Sequence, residues 1–286
     1  MGAVQAAGRV TSVAVAARLV LRLRRRMELR LLGGPGSGHF GHAGRPGEVG
    51  GSSSEGGGNF PADDVIRKEY MVDEASEAAE TKGSNFLDKL HETVEHDSGA
   101  TAREYQEWLD AADYYQGDGY VSINSILRAN PDAMDEFDDE DEEDEDGPSE
   151  MRMAAALQLL LDEAPALDKP VITYRGLTGE LNFKEGDEVV LNGFQSTSFD
   201  PAVAYNFATG DDPSNMDVSD KSMILEIRAN QGLSFGGHSK SGETEFLIPH
   251  GLPYKVHKIG ERTVTTGAGP RRVKLIQLEM KTAVGK

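Results

Sequence analysis

The spacing of apolar residues changes once along this chain, at Pro170, and this change constrains the fold more than any other feature. Before Pro170, apolar residues recur at the three- and four-residue intervals typical of helices. After it they alternate with polar residues, as in strands, and Met223, Leu225 and Ile227 form one such series. Helices followed by strands predict an α+β fold and argue against alternating βαβ units, and therefore against a Rossmann nucleotide site.

Capping and helix-breaking residues divide the two halves into elements. We predict helices at 62–79, from a Ser84 cap to Val94, from a Ser98 or Thr101 cap to Tyr115, from Tyr120 to Leu127 and, capped by Ser149, from Met151 to Leu161. Gly117-Asp118-Gly119 should break the third of these from the fourth. We predict strands at 171–174, 189–191, 223–228, 241–249, 255–264 and 273–280, with a short helix at 201–209.

The charge distribution limits the partners. The formal net charge is −20, yet residues 1–50 carry eight arginines against two glutamates, so the remainder carries −26. So acidic a surface opposes nonspecific binding to nucleic acid and to anionic membranes, and we expect neither as a partner. The chain has no cysteine, which excludes thiol nucleophiles, disulfides and cysteine metal sites. No apolar run reaches the 18 or so residues of a transmembrane helix.

Composition also divides the chain into segments. Residues 1–32 form a basic segment that is either an amphipathic targeting or surface helix, or a stretch upstream of a true start at Met27. Residues 33–60 are rich in Gly and Ser and predict a flexible linker. The stretch Gly33–Ser52 resembles linkers of tailed-phage head-associated proteins. Residues 61–84 predict a helical lead-in to a folded domain at 85–282.

An acidic insertion interrupts that domain at residues 132–148. Eleven of the twelve residues from Asp135 to Asp146 are acidic, and such a run repels itself, so we expect it to be disordered. It lacks the glycine and the ligand spacing of a calcium loop. His39 and His42, in the linker, are the weak remaining pair of metal-ligand candidates, so no metal is expected.

Three polar motifs follow strands in the second half of the chain. They are Arg175-Gly176, Ser196-Thr197-Ser198 and Glu243-Thr244-Glu245. Taken singly, each has an ordinary explanation: a surface ion pair, a turn or helix cap, and a solvated edge strand. Strand alternation would place the two glutamates on one face and Thr244 on the other, toward the core. Together, in this order and each at a strand edge, the motifs indicate a site.

The combination resembles the Arg–Ser–Glu class of mono-ADP-ribosyltransferases, which includes bacterial actin-modifying toxins and the vertebrate arginine-specific enzymes. The resemblance covers roughly residues 85–282 and extends to three segments, 111–128, 196–208 and 245–249. It implies an ADP-ribosyltransferase-like fold: N-terminal helices, then a β-sandwich core of two packed mixed sheets, with NAD in the cleft between them.

The resemblance also implies roles for individual residues. NAD would be the co-substrate, and Glu245 would stabilise the oxocarbenium-like charge that develops as its N-glycosidic bond breaks. Ser196 would hold Glu245 in place, and Glu243 would orient an acceptor guanidinium and take its proton. Residues assigned to NAD binding are Arg175 on the pyrophosphate, Phe207 against nicotinamide, Gly176, which would let NAD approach the backbone, and Ser196, Thr197, Ser198 and Glu245.

The predicted activity is transfer of ADP-ribose from NAD to a protein side chain, with arginine favoured by Glu243. The alternatives are an NAD glycohydrolase and a catalytically inactive phage head-associated protein. The expected partner is a host protein with an exposed arginine, and phage head proteins are a second candidate. Such a protein would be virion-associated or delivered to the host bacterial cytoplasm, or alternatively secreted. The Gly/Ser-rich stretch 234–242 is typical of a mobile loop that meets the target.

Overall fold

The computed structural model describes residues 74–136, 149–179, 181–209, 222–239, 244–266 and 269–281. The predictions on the basic segment, the linker, most of the acidic insertion and Glu243 lie outside these residues. Within the described part of the chain, no helix is long and apolar enough to cross a membrane.

The first half of the described chain is helical, as its periodicity predicts. Helix α1 spans Glu74–His96, α2 Ala100–Tyr114, α3 Tyr120–Ala129, α4 Ala133–Glu136 and α5 Glu150–Glu163. A π-helical turn, Tyr115–Gly119, joins α2 to α3, and Gly117 breaks it with non-helical backbone angles. The predicted cap at Ser149 is confirmed, because its Oγ accepts a hydrogen bond from the Arg152 backbone N–H at 3.2 Å.

Two predicted caps are wrong. Ser84 lies inside α1, because the helix continues through Gly83, which is buried where the helix backbone meets Ser234. Helix α2 is preceded by Gly99 in extended conformation, where Ser98 or Thr101 was expected. Asp97 provides the local polar contact, since its Oδ1 accepts from the Gly99 N–H at 2.9 Å. At α1 the tertiary contact with Ser234, and at α2 the neighbouring contact of Asp97, outweighs the local preference for a serine or threonine cap.

The second half contains eight strands, one α-helix and a 3₁₀ turn, Gly236–His238, among the described residues. The strands are β1 Val171–Thr178, β2 Glu188–Val190, β3 Gln195–Ser198, β4 Ser222–Ala229, β5 Leu233–Ser234, β6 Glu245–Ile248, β7 Pro253–Thr266 and β8 Gly269–Met280. Helix α6, Pro201–Thr209, follows β3. The hydrogen-bonded order is β2-β7-β8-β4-β1-β3-β6-β5, mixed because β4 and β8 are parallel. The α+β class is confirmed.

The predicted two sheets are hydrogen-bonded into one. Strands β1 and β3 pair at a single position, Tyr174 with Ser198, whereas β1 pairs with β4 over its whole length. This one pair joins a larger group of five strands to a smaller group of three, β3, β6 and β5. Buried side chains of both groups nevertheless share one apolar cluster, which includes Phe246 of β6 and Val256 of β7. The two groups therefore pack against each other as layers of a sandwich do.

Strand β6 is buried on both faces. Phe246 and Ile248 belong to the cluster between the two strand groups, while Leu247 belongs to a second cluster built mainly from the helices. This division follows from the two-residue period of a strand. Glu245, which shares the Leu247 face by the same period, begins β6 on the helical side of the molecule.

Candidate active site

The three polar motifs lie on neighbouring strands. Tyr174 of β1 pairs with Ser198 of β3, and Ser198 pairs with Glu245 of β6. Paired residues on antiparallel strands have Cα atoms about 4.5–5.5 Å apart. The register therefore brings the Arg175, Ser196 and Glu245 motifs, which are up to 70 residues apart in sequence, to one edge where the two strand groups meet.

A hydrogen-bond network links Ser196 to the helices. The Tyr115 hydroxyl lies 3.3 Å from Ser196 Oγ and receives a hydrogen bond from Asn124 Nδ2 at 2.9 Å. Asn124 Oδ1 in turn accepts from the Phe194 backbone N–H at 2.8 Å. Tyr115 and Asn124 are 1% and 2% exposed, so these contacts are shielded from water. The π-helical turn and α3 thus position β3.

The Phe194 carbonyl orients Arg175. Arg175 Nη1 donates to Phe194 O at 3.2 Å, and the Tyr115 hydroxyl donates to the same oxygen at 3.4 Å. Because Asn124 fixes the Phe194 N–H, both backbone polar groups of Phe194 are held by site residues. The Arg175 fork, which has five N–H donors, is thereby fixed on one side.

The electrostatics of the site are those of a partly buried cation. Burial lowers the pKa of Arg175, and the nearby positive charge of Arg128 lowers it further, whereas the Glu245 carboxylate raises it. Burial likewise raises the pKa of Tyr115, which keeps its hydroxyl protonated. An arginine remains charged at neutral pH, so Arg175 and Arg128 both carry positive charge here.

The hydroxyls of Ser196, Thr197 and Ser198 make different contacts. Thr197 Oγ1 donates to the Phe246 carbonyl at 2.6 Å, inside the sheet. Ser198 Oγ lies 3.0 Å from Thr244 Oγ1 and accepts from the Asp200 N–H at 3.0 Å, at the turn into α6. Both are buried, while Ser196 is half-buried. Thr197 and Ser198 thus make contacts within the fold, and Ser196 is the most exposed of the three; their roles in NAD binding stay predictions.

Helix α6 accounts for Gly176. A Cβ at Gly176 would overlap Ala204 O and lie 2.6 Å from Ala208 N, so the helix backbone fills the space that the missing side chain leaves. The structure thus gives Gly176 a packing role between β1 and α6, and the predicted close approach of NAD to its backbone stays a prediction. Phe207, on the same helix, is 58% exposed, so its ring is accessible for the predicted stacking.

Glu245 is the described member of the glutamate pair. Its side chain is half-buried, and its carbonyl accepts from the Phe235 N–H at 3.1 Å. Thr244 is also half-buried, and the strand begins only after it. Glu243 lies outside the described residues, so its sharing of a face with Glu245 stays a prediction.

Four further residues shape the site, although no role in it was predicted for any of them: Tyr115, Asn124, Phe194 and His250. His250 is 5% exposed; its Nδ1 accepts from the Gly193 N–H at 2.7 Å, and its Nε2 donates to Pro131 O at 3.0 Å. Tyr115 was predicted to lie in the core, and its burial confirms this. The hydrogen bonds of its hydroxyl were not predicted. One feature of the sequence does point to this network. Asn124 lies next to Ile123 on the apolar face of a helix, and a buried amide needs hydrogen-bond partners.

An N-terminal set of helices thus packs on a mixed sheet of two strand groups, with an arginine, a serine and a glutamate on adjacent strands. Residues 101–280, well over half of the chain, match the family model described as ADP-ribosyltransferase exoenzyme. The chain belongs to this family, which confirms the predicted family and supports NAD-dependent ADP-ribosylation as its class of activity. The Arg–Ser–Glu class, its arginine-modifying members and the phage-like linker stay predictions.

Solved structures similar to this chain include three bacterial toxins. The Vis toxin, an ADP-ribosyltransferase from Vibrio splendidus, is 22% identical, with 77% of this chain and 91% of that chain covered and a TM-score of 0.46. Plx2a from Paenibacillus larvae is 16% identical, with 72% and 96% covered and a TM-score of 0.45. BECa, an ADP-ribosylating toxin of a C. perfringens binary enterotoxin, has a crystal structure with NADH. It is 19% identical, with 72% of this chain and 48% of that chain covered and a TM-score of 0.48. No curated protein matches this chain.

Proposed function

We propose that this chain transfers ADP-ribose from NAD to a protein side chain, with arginine as the favoured acceptor, and releases nicotinamide. The observation that carries the proposal is the register of β1, β3 and β6, which sets Arg175, Ser196 and Glu245 on neighbouring strands. Family membership supplies the reaction class. The acceptor that we propose is a host protein with an exposed arginine.

The cations of the site suit the pyrophosphate of NAD. Arg175 is oriented by the Phe194 carbonyl and lies near a second arginine, Arg128. A planar guanidinium fork pairs well with phosphate oxygens, and a bound anion would offset the cost of burying these charges. Phe207, exposed on α6, provides an aromatic face for nicotinamide.

In the proposed reaction the bond between the nicotinamide nitrogen and the ribose C1′ breaks, and nicotinamide leaves with the bonding electron pair. Positive charge then develops on the ribose, and the half-buried carboxylate of Glu245 stabilises it. Ser196 is positioned by the Tyr115 hydroxyl on the face that Glu245 shares. We assign to this pair the cleavage of NAD.

The second carboxylate is assigned to the acceptor. A guanidinium nitrogen attacks C1′ and forms the new bond, and the proton that it loses passes to Glu243. A protonated guanidinium is a poor nucleophile, so this step needs a carboxylate nearby. The E-x-E spacing, two residues along the chain, supports the division of labour between Glu243 and Glu245.

The test is an incubation of the purified chain with NAD labelled in its adenylate half, with and without agmatine as a small guanidinium acceptor. A transferase produces labelled agmatine together with an equal amount of nicotinamide. Nicotinamide with labelled free ADP-ribose alone would identify an NAD glycohydrolase. No nicotinamide and no stabilisation by NAD in a thermal-shift titration would contradict both activities.

A further inference from the structure

Helix α1 contacts strand β5 through its backbone, although the helix precedes residues 101–280, which the family model matches. Gly83 is buried within the helix, and a Cβ there would overlap the Ser234 carbonyl. The opposing atoms belong to the backbone, so they cannot turn aside as a flexible side chain could. Because a helix interior disfavours glycine relative to alanine, the contact with Ser234, and not helix formation, accounts for glycine at this position.

Strand β5 takes its position from its neighbours. It consists of two residues, Leu233–Ser234, and it ends the hydrogen-bonded order of the described strands. Its pairs with β6 are Leu233 with Leu247 and Ser234 with Phe246. Strands usually have about three to ten residues, so two pairs give β5 little stability of its own. The contact with α1 therefore helps to hold β5 on β6.

The chain that α1 supports is bonded directly to Glu245. Phe235 donates its N–H to the Glu245 carbonyl at 3.1 Å, and Ser234 Oγ lies 3.5 Å from the same oxygen. On its other side Glu245 pairs with Ser198 of β3. The Glu245 carboxylate is close enough to Arg175 to raise the pKa of that arginine. A shift of the Glu245 main chain would therefore move its carboxylate relative to Arg175.

We propose that Gly83 is a positioning residue for Glu245. Because Gly83 has no side chain, α1 can lie against Ser234 and support the chain that holds the Glu245 carbonyl. This inference rests on the proposed function, since it takes Glu245 as the carboxylate that stabilises the charge on the ribose. Helix α1 is then needed for NAD cleavage, although the family match begins after it.

Gly83→Ala tests the inference with one added methyl group. Helix propensity alone predicts a more stable α1, whereas the contact predicts that the methyl group displaces Ser234 and, with it, Glu245. Displacement of a reacting group by about 1 Å can cost about a hundredfold, so kcat for nicotinamide release should fall by about ten- to hundredfold. The KM for NAD should stay unchanged, because Phe194 still orients Arg175.

The matched control is Asn85→Ala, which changes an exposed residue two positions further along α1 and should keep the wild-type kcat. Circular dichroism establishes that both variants are folded. A wild-type kcat in Gly83→Ala would overturn the inference. So would a rise in KM for NAD at unchanged kcat, which would place the effect on NAD binding.

A second pair of variants tests the same contact from the β5 side, and it applies even if Gly83→Ala does not fold. A Cβ at Gly236 would lie 2.5 Å from Ser84 Oγ of α1, so Gly236→Ala should also lower kcat. Ser84→Ala removes that oxygen and should restore part of the lost kcat in the double variant, while the φ of +48° at position 236 keeps some strain. Equal kcat in Gly236→Ala with and without Ser84→Ala would contradict support of this chain by α1.

Hydrogen exchange provides a readout that does not depend on activity. The Phe235 N–H, which donates to the Glu245 carbonyl, should exchange about tenfold faster in Gly83→Ala than in Asn85→Ala. The Phe194 N–H, in the network that orients Arg175, should exchange equally in both variants.

Equal exchange of the Phe235 N–H in the two variants would overturn the inference. A wild-type chain that releases no nicotinamide would instead contradict the proposed function. The exchange rates would still decide whether Gly83 fixes the chain beside Glu245.

Discussion

Asn124 is the residue whose removal should disturb the site most while touching no proposed substrate. Its buried amide bonds to the Phe194 N–H and to the Tyr115 hydroxyl, at 2.8 and 2.9 Å. In Asn124→Ala the buried Phe194 N–H loses its acceptor, which costs about 1–3 kcal/mol, and the bond to the Tyr115 hydroxyl, worth about 0.5–1.5 kcal/mol, is lost as well. We expect a loss of about 2–4 kcal/mol in the free energy of unfolding.

Two assays check this expectation. At about 2–4 °C per kcal/mol for a domain of this size, thermal unfolding followed by circular dichroism should show a Tm lower by about 5–15 °C. At a temperature where the variant is folded, kcat/KM for NAD should fall by about tenfold or more, because displacement of Phe194 moves the acceptor of Arg175.

The matched control is Asn85→Ala, which removes an exposed amide from helix α1 and should leave Tm and kcat/KM within error of the wild type. The reasoning is refuted if Asn124→Ala unfolds at the wild-type temperature. It is also refuted if the variant loses stability but cleaves NAD at the wild-type rate while folded, since the network would then have no role in orienting Arg175.

Three further predictions concern the core around the site. Gly176→Ala should destabilise by about 3 kcal/mol or more, measured by urea unfolding, because its Cβ would overlap the Ala204 carbonyl; a wild-type midpoint would show that α6 moves aside freely. Tyr254→Phe should raise stability by about 1 kcal/mol, since the hydroxyl is buried with no hydrogen-bond partner among the described residues; a loss would reveal a partner for it. Burial raises the pKa of Glu80, so ionisation opposes folding above its ordinary value of 4.5, and Glu80→Gln should raise the Tm at pH 7 but not below pH 4; a gain independent of pH would contradict this sign.

The sequence predicted most of the elements, because periodicity is a local property, but it divided α1 into two helices at residues 79–84 and missed the short strand β5. The alternation at Met223, Leu225 and Ile227 and the Asp200-Pro201 helix start both reappear in the structure, where Asp200 Oδ1 accepts from the Ala202 N–H. The predicted helix start at Ser84 is wrong because α1 continues through Gly83, which packs against Ser234, about 150 residues away in the sequence.

The site was predictable only in part for the same reason. Ser196, Thr197 and Ser198 look equivalent in sequence, yet strand pairing sends one hydroxyl to Tyr115, one into the sheet and one to the turn before α6. The Tyr115 contact spans 81 residues, and helical spacing alone predicts only that its ring is buried. Which hydroxyl meets which strand depends on the order β1-β3-β6, and no local pattern encodes that order.

The central claim is that two carboxylates, two residues apart, divide cleavage and transfer between them. The measurement that tests it most directly is parallel quantification of nicotinamide and labelled agmatine for the wild type, Glu245→Gln and Glu243→Gln. Glu245→Gln should lower both products by roughly two to three orders of magnitude. Glu243→Gln should lose the labelled agmatine and keep nicotinamide release, whereas a Glu243→Gln variant that modifies agmatine as well as the wild type would contradict the assignment.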